Sequence, residues 1–298
     1  MSDITLLDGS IGQELVHRSG AAPTPLWSTS VMLQNAGLVG DVHRDYFRAG
    51  ATIATTNTYP VHRDRLAGTG LEDRFADLLH TAVAQARAAV AANGGGRVAL
   101  SLGPLGASYR PDICPPPAEA APLYEEIIGL AGQDADLFLI ETASSTAQAH
   151  GALLGSLGHG KPVWLGVSVA DDDGSKLRSG EPLTQLATLF ETLEPDAVLI
   201  NCSRPEAVGQ AMPIIADMGL PFGGYANGFT RITDGFLGDK PTVDALTARR
   251  DLGPADYAKH AMSWVDQGAT IVGGCCEVGP AHIAELARKL TAAGHRVT

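Results

Sequence analysis

Thr270-Ile271-Val272-Gly273-Gly274-Cys275-Cys276 is an apolar run that stops at a glycine pair and two adjacent cysteines. It reads as a β-strand that has ended, because in a continuing strand neighbouring side chains face opposite sides. A second run, Ala197-Val198-Leu199-Ile200, ends in Asn201-Cys202-Ser203. Three thiolates at the same ends of neighbouring strands suit a zinc ion, with one tetrahedral position left open as in a catalytic site. Buried cysteines acting as small hydrophobes explain most lone cysteines. They explain an adjacent pair poorly, and the spacing and context of Cys202, Cys275 and Cys276 favour metal ligation.

Runs of the same kind recur along the chain. Residues 4–9, 51–57, 98–103, 137–142, 163–169, 197–203, 222–227 and 270–276 are mostly near-continuous in apolar residues, as expected for parallel strands buried on both faces. Helices are predicted between them over 37–48, 72–92, 123–132, 145–155, 183–193, 205–217, 254–267 and 280–292. Several open with proline and many close near glycine. Eight strand–helix units predict an α/β fold, a (β/α)8 TIM barrel. The 298 residues fit one domain spanning the whole chain, since such barrels run to this length as a unit. The rival, an open doubly wound sheet, calls for a glycine fingerprint with an acidic residue further on, and none is convincing.

Composition narrows the function. With 45% hydrophobic and 18% charged residues, the chain can build a sizeable core without staples. The net charge of -12, with no basic stripe, argues against nucleic acid or an anionic membrane as partner and mildly favours a cationic ligand. Four cysteines, two of them adjacent, do not make a secreted disulfide framework. The first residues lack a basic segment followed by an apolar one, and no apolar run reaches spanning length, so a cytoplasmic protein is expected.

Barrel active sites sit at the carboxyl ends of the strands. Polar residues gather at those ends here: Asp8-Gly9-Ser10, Thr55-Thr56-Asn57, residues 101–106, Glu141-Thr142, Asn201-Cys202-Ser203, Asn227 and Cys275-Cys276. Any strand end meets water, which covers the serines and threonines. It does not cover an acid such as Glu141 closing an apolar run. Elsewhere, His43-Arg44-Asp45 and His62-Arg63-Asp64 read as solvated helix faces, and Asp171-Asp172-Asp173-Gly174 lacks the spaced ligands of a calcium loop. Residues 230–253 are long for a barrel loop and read as a lid or an interface.

On these residues the chain resembles the homocysteine S-methyltransferase family of zinc-dependent barrels. The similarity runs from Leu6 to about Ala284. It rests on Leu7-Asp8-Gly9-Ser10-Ile11-Gly12-Gln13-Glu14-Leu15, Asp45-Tyr46-Phe47-Arg48-Ala49-Gly50-Ala51, Thr55-Thr56-Asn57-Thr58-Tyr59, Ser101-Leu102-Gly103-Pro104, Glu141-Thr142, Ile200-Asn201-Cys202, and Gly273-Gly274-Cys275-Cys276 with Pro280 and His282. Pro25-Leu26-Trp27-Ser28 is similar to the branch that uses sulfonium donors rather than betaine. The chain departs from the family pattern at Ser10, where a second glycine is usual, at Ala143-Ser144-Ser145, and at Tyr225-Ala226-Asn227-Gly228-Phe229.

The resemblance implies transfer of a methyl group from S-methylmethionine or S-adenosylmethionine to L-homocysteine, giving methionine, with Zn2+ on Cys202, Cys275 and Cys276. Asp8 and Glu141 are expected to bind the substrate ammonium, an N-cap role being the rival for Asp8. Gly9 and Ser10 are expected to present backbone N–H groups to its carboxylate. Asn227 is assigned either the fourth zinc position before substrate arrives or a satisfied loop amide. Trp27 either caps the donor sulfonium by cation–π contact or packs as an apolar side chain. Cys114 is expected to be a bystander. The alternatives are a betaine or other onium donor, a selenocysteine or other thiol acceptor, and a non-catalytic zinc-binding or redox-sensing barrel. Partners are small molecules, and homo-oligomerisation stays open.

Overall fold

The computed structural model describes residues 2–22, 24–238 and 242–298. All eight expected runs form strands: β1 (Asp3–Leu6), β2 (Ile53–Thr55), β3 (Arg97–Leu102), β4 (Leu137–Ala143), β5 (Val163–Val167), β6 (Ala197–Asn201), β7 (Phe222–Ala226) and β8 (Ile271–Gly274). They pair in parallel in the order β2-β3-β4-β5-β6-β7-β8-β1. The ring comes round between β1 and β2 through Thr52, whose N–H and hydroxyl both donate to the Leu6 carbonyl, at 2.8 and 3.1 Å. A further strand, β9 (Arg296–Val297), pairs with the outer edge of β1. A two-residue strand carries no periodicity, and the sequence gives no sign of it.

The strands separate two apolar shells. Leu7, Ile53, Ala99, Leu137, Leu139, Trp164, Ala197, Leu199, Tyr225 and Ile271 fill the barrel interior. Phe138, Ile140, Val198 and Ile200, one residue out of phase, join the larger core beneath the helices. This is the two-residue period of a strand buried on both faces, and it explains why the runs read as continuous rather than alternating.

The predicted helices appear as Ala36–Arg48, Phe75–Asn93, Pro117–Ala131, Thr146–Ser156, Gln185–Phe190, Pro205–Ala216, Pro254–Asp266 and Pro280–Ala292. The third starts earlier than expected, because Pro122 lies inside it rather than ending the segment before it. Two further helices lie between β1 and β2: Ile11–Ser19, where the N-cap reading implied a helix start, and Ser28–Gln34, which was not expected. The first is capped by Ser10, whose Oγ accepts from Gln13 N at 3.3 Å, and ends at left-handed Gly20. No helix among the described residues is long and apolar enough to cross a membrane.

One expectation is corrected here. His43 and His62 are not on solvated faces: each is 1% exposed, and no ring nitrogen of either finds a hydrogen-bond partner among the described residues. Helix Ala36–Arg48 turns His43 inward together with Val39 and Val42, at the i, i+3, i+4 spacing of a buried face. Burial holds both imidazoles neutral and pushes them down to about 4, with Arg44 adding to the effect at His43 and Arg65 at His62. Between about pH 6.5 and 4 the unfolded chain therefore takes up protons that the folded chain refuses. Their contribution to stability is full above the unfolded value and is lost as pH falls through that window, by up to about 1.4 kcal/mol per pH unit per histidine. Denaturant titrations at pH 7 and 4.5 should show a large loss in wild type and a smaller one in the His43→Leu/His62→Leu variant; equal losses would contradict the assignment.

Candidate active site

The strand period that fills the barrel also aims its rim. Continuing inward from Leu137 and Leu139 comes Glu141, from Ile53 Thr55, from Ala99 Ser101, and from Ile271 Cys275. All four line a cavity of about 810 Å³ at the carboxyl-terminal ends of the strands. Cys202 and Cys276 are out of phase and reach the same cavity by broken backbone. Cys202 lies at φ +47°, in the left-handed region, and Cys276 is the second residue past the end of β8 and precedes Glu277 at φ +66°. Non-glycine residues in this region are uncommon and concentrate at functional sites.

The three sulfur atoms all lie within 4.8 Å of one another, so they can converge on one ion. Cys202 and Cys275 are joined as a disulfide with Cα atoms 5.7 Å apart, and Cys276 Sγ is 3.9 Å from Cys202 Sγ. As ligands, the first two must therefore be in reduced form. Burial pushes the Cys276 thiol up to about 12, helped by the charges of Glu277 and Glu141. A thiolate here needs a cation beside it, and a cluster of soft sulfur donors suits zinc. Cys114 is a free, half-buried cysteine outside this cluster, as expected of a bystander.

The turn that carries the cysteines is pinned through its backbone. Gly274 N donates to Asp8 O, Cys275 N to Ala226 O, Val278 N to Cys275 O and Gly228 N to Cys276 O, at 2.8–3.1 Å. The Tyr257 hydroxyl donates to Gly273 O at 2.6 Å and accepts from Ala226 N at 3.1 Å, tying β7 to β8. Gly274 is obligatory, because a Cβ there would collide with the Val278 side chain.

Asp8 and Glu141 are 2% and 9% exposed and face the same cavity. Asp8 accepts from Thr55 N at 2.6 Å and Thr55 Oγ1 at 2.7 Å, stitching the end of β1 to that of β2. The N-cap role belongs to Ser10, so it does not account for Asp8. Glu141 accepts from the Ser101 hydroxyl, and the Tyr225 hydroxyl nearby is buried without a hydrogen bond of its own among the described residues. Burial outweighs these hydrogen bonds and pushes Asp8 up to about 8 and Glu141 up to about 7, the Glu141 charge adding to the effect at Asp8. Two buried carboxylates held this high are poised to accept a cation.

Two other expectations change. The Ser10 N–H donates to Val278 O at 3.0 Å, so it is not presented to a substrate carboxylate; the β8 turn passes closely enough over Gly9 to claim it. Gly9 does line the cavity. Asn227 is buried beside the cavity rather than among its lining residues, and its Oδ1 accepts from Phe229 N at 3.1 Å while Nδ2 has no partner among the described residues. That is the geometry of a loop-shaping amide.

Trp27 lines the cavity, with its ring over Gly12 and edge-on to Tyr59 at 6.1 Å. Its Nε1 donates to Gln13, and Gln13 donates in turn to Glu277 beside the cysteines, at 2.9 and 2.7 Å. Sequence reading missed Tyr59, Tyr109, Phe229 and Phe236, which complete an aromatic wall. Tyr59 stood inside a quoted motif, but nothing in its spacing marked it. Phe236, Gly238, Thr242, Val243 and Leu246, from the long 230–253 stretch, roof the same cavity, which favours the lid reading. Residues 239–241 of that stretch lie outside the described residues.

Fold and cavity together define a barrel enzyme with its site at the carboxyl-terminal rim. The homocysteine S-methyltransferase family profile matches residues 5–290. The homocysteine S-methyltransferase of Escherichia coli is 30% identical, the match covering 95% of this chain and 94% of that one. A selenocysteine Se-methyltransferase of Brassica oleracea is 25% identical, the match covering 96% of this chain and 88% of that one. Among solved structures, the metallated form of the homocysteine methyltransferase MmuM from Escherichia coli superposes with a TM-score of 0.80 at 27% identity, covering 97% of this chain and 96% of that one. The chain belongs to the homocysteine S-methyltransferase family and is a methyltransferase of that kind.

Behind the rim, Asn201 and Thr142 form a reciprocal pair: Thr142 N donates to Asn201 Oδ1 at 2.9 Å and Asn201 Nδ2 to Thr142 Oγ1 at 3.0 Å. Thr142 sits at φ +62°, where the β4–β5 register shifts. Asn201→Ala leaves the buried Thr142 N–H unpaired and should cost about 1–3 kcal/mol in denaturant titration; a loss below about 0.5 kcal/mol would show that the pair is incidental.

Proposed function

We propose that this protein transfers a methyl group from a sulfonium donor, S-methylmethionine or S-adenosylmethionine, to the thiolate of homocysteine, with zinc held by Cys202, Cys275 and Cys276. One observation carries the reading: a single cavity brings three clustered sulfurs and two buried carboxylates together. A thiol-responsive barrel without catalysis has no use for Asp8 and Glu141 there. A free thiol near pKa ~8.5 is only a few per cent ionised at pH 7. Bound zinc supplies the positive charge that keeps the acceptor thiol deprotonated at neutral pH.

The chain's own residues then do the orienting. Asp8 and Glu141 receive the acceptor ammonium and fix the reach of its side chain. The aromatic wall of Trp27 and Tyr59 faces the donor sulfonium, to which a π-face is attractive. At about 810 Å³ the cavity has room for two amino-acid-sized molecules at once. In the transfer the acceptor sulfur forms a bond to the methyl carbon as the donor C–S bond breaks, and the donor sulfur keeps that electron pair and becomes a neutral thioether. Alignment of the three atoms can supply roughly 7–11 kcal/mol of the barrier reduction, more than thiol ionisation alone gives. This chemistry belongs to a reducing compartment such as the cytoplasm, where the Cys202–Cys275 pair stays open.

Reduced protein should bind one zinc ion per chain, and Cys202→Ser, Cys275→Ser and Cys276→Ser should each abolish turnover while Cys114→Ser stays close to wild type. Metal analysis and methionine formation by mass spectrometry, over a panel of sulfonium and betaine donors, check this. Full activity after rigorous chelation, or in any one of the three variants, would contradict it. Glu141→Gln removes a charge-assisted hydrogen bond worth roughly 1.5–3 kcal/mol, so homocysteine affinity should fall by about tenfold to over a hundredfold with zinc content intact. Unchanged affinity would make Glu141 structural; lost zinc would mean that the carboxylate belongs to the metal site.

A further inference from the structure

A second cavity, of about 450 Å³, adjoins the first, and Tyr109 lines both. Its walls come from the segments that follow β5, β6 and β7, and they carry Arg178, Arg204, Arg231 and Asp172. Arg178 is already engaged. Its Nε donates to Ser168 Oγ and its Nη2 to Asp171 Oδ1, both at 2.7 Å, while Nη2 also reaches the Cys202 carbonyl at 3.3 Å. Its guanidinium lies 4.7 Å from the centre of the Tyr109 ring. The wall of this pocket is therefore in direct contact with the backbone of Cys202.

The other two arginines are held less tightly. Arg204 Nε is buried and has no hydrogen-bond partner among the described residues. Its carboxylate neighbour Glu206 is 3.7 Å away and is already held by Arg249 at 2.8 and 2.9 Å. Arg231 is exposed, and the next residue anchors its position, Ile232 N donating to Asp171 Oδ2 at 2.8 Å. The Arg204 side chain is otherwise part-exposed at the pocket wall, and a carboxylate is the ligand whose planar geometry matches a guanidinium. Asp172, exposed in the same pocket, supplies an acceptor for a cation. Anion and cation acceptors side by side describe the head of an α-amino acid.

The first cavity already offers Asp8 after β1 and Glu141 on β4, neither of which lines the second pocket. We propose that the second pocket is the subsite for the amino-acid head of the methyl donor, with its carboxylate on Arg204 and Arg231, its ammonium on Asp172, and its sulfonium arm passing Tyr109 into the rim cavity. The proposal rests on the sulfonium-donor reading above. Two amino acids held by their heads in the two adjoining cavities can bring their sulfur atoms together where the cavities meet at Tyr109, as methyl transfer from one to the other requires.

The test uses the zinc-loaded protein and its Arg204→Gln and Arg231→Gln variants. Donor and homocysteine are varied separately, with S-methylmethionine and its carboxamide as the two donors. The donor KM should rise about tenfold or more in each variant, equivalent to roughly 1.4 kcal/mol. The homocysteine KM and zinc content should hold, and the carboxamide should be used alike by all three proteins. An unchanged donor KM, or an equal rise for homocysteine, overturns the subsite. Calorimetry with S-methylmethionine separates the two claims: binding that depends on Arg204 and Arg231 without any methyl transfer sinks the donor reading and leaves the subsite standing.

Discussion

Holding three sulfur atoms within 4.8 Å of one another in an apolar barrel is first an electrostatic problem. Burial and two neighbouring carboxylates push Cys276 up to about 12, so the cluster resists ionisation on its own. It can relieve that cost by accepting a metal cation or by pairing two of the sulfurs, as Cys202 and Cys275 do here. The same relative, MmuM from Escherichia coli, has been solved in both metallated and oxidized forms. Much of the rim serves to hold this cluster in place.

The backbone bonds around Gly274, Cys275 and Val278, together with the Tyr257 hydroxyl, leave the β8 turn little freedom. The left-handed residues Thr142, Cys202 and Glu277 mark where strand geometry is broken to aim side chains. Such conformations cost of order 1–3 kcal/mol each and persist only when their surroundings over-determine them. The reciprocal Asn201–Thr142 pair and the Ser101–Glu141 contact are those surroundings.

The barrel was legible because strands buried on both faces write continuous apolar runs, and each of the eight is found as a strand. The inward aim of Glu141 and Cys275 followed from the same period. Other features were not legible, for physical reasons. The helix expected over 123–132 begins at Pro117 and runs through Pro122. The helix Ser28–Gln34 between β1 and β2 is short, and its sequence reads as well for a loop. His43 and His62 looked like surface charge because a buried, unpartnered imidazole leaves no mark in the sequence. Ser10 and Asn227 were placed correctly at strand ends, but the turns that claim their hydrogen-bonding groups come from residues distant in sequence or from loop shape. Tyr109 and Phe236 needed the folded loops to become neighbours of the site.

The most direct test of the central claim is zinc K-edge X-ray absorption on the reduced, zinc-loaded protein, with and without homocysteine. The account predicts three sulfur neighbours at about 2.3 Å and one lighter neighbour in the free protein, becoming four sulfurs when homocysteine is added. A sulfur count that stays the same on adding homocysteine, or fewer than three sulfurs at the start, would contradict it.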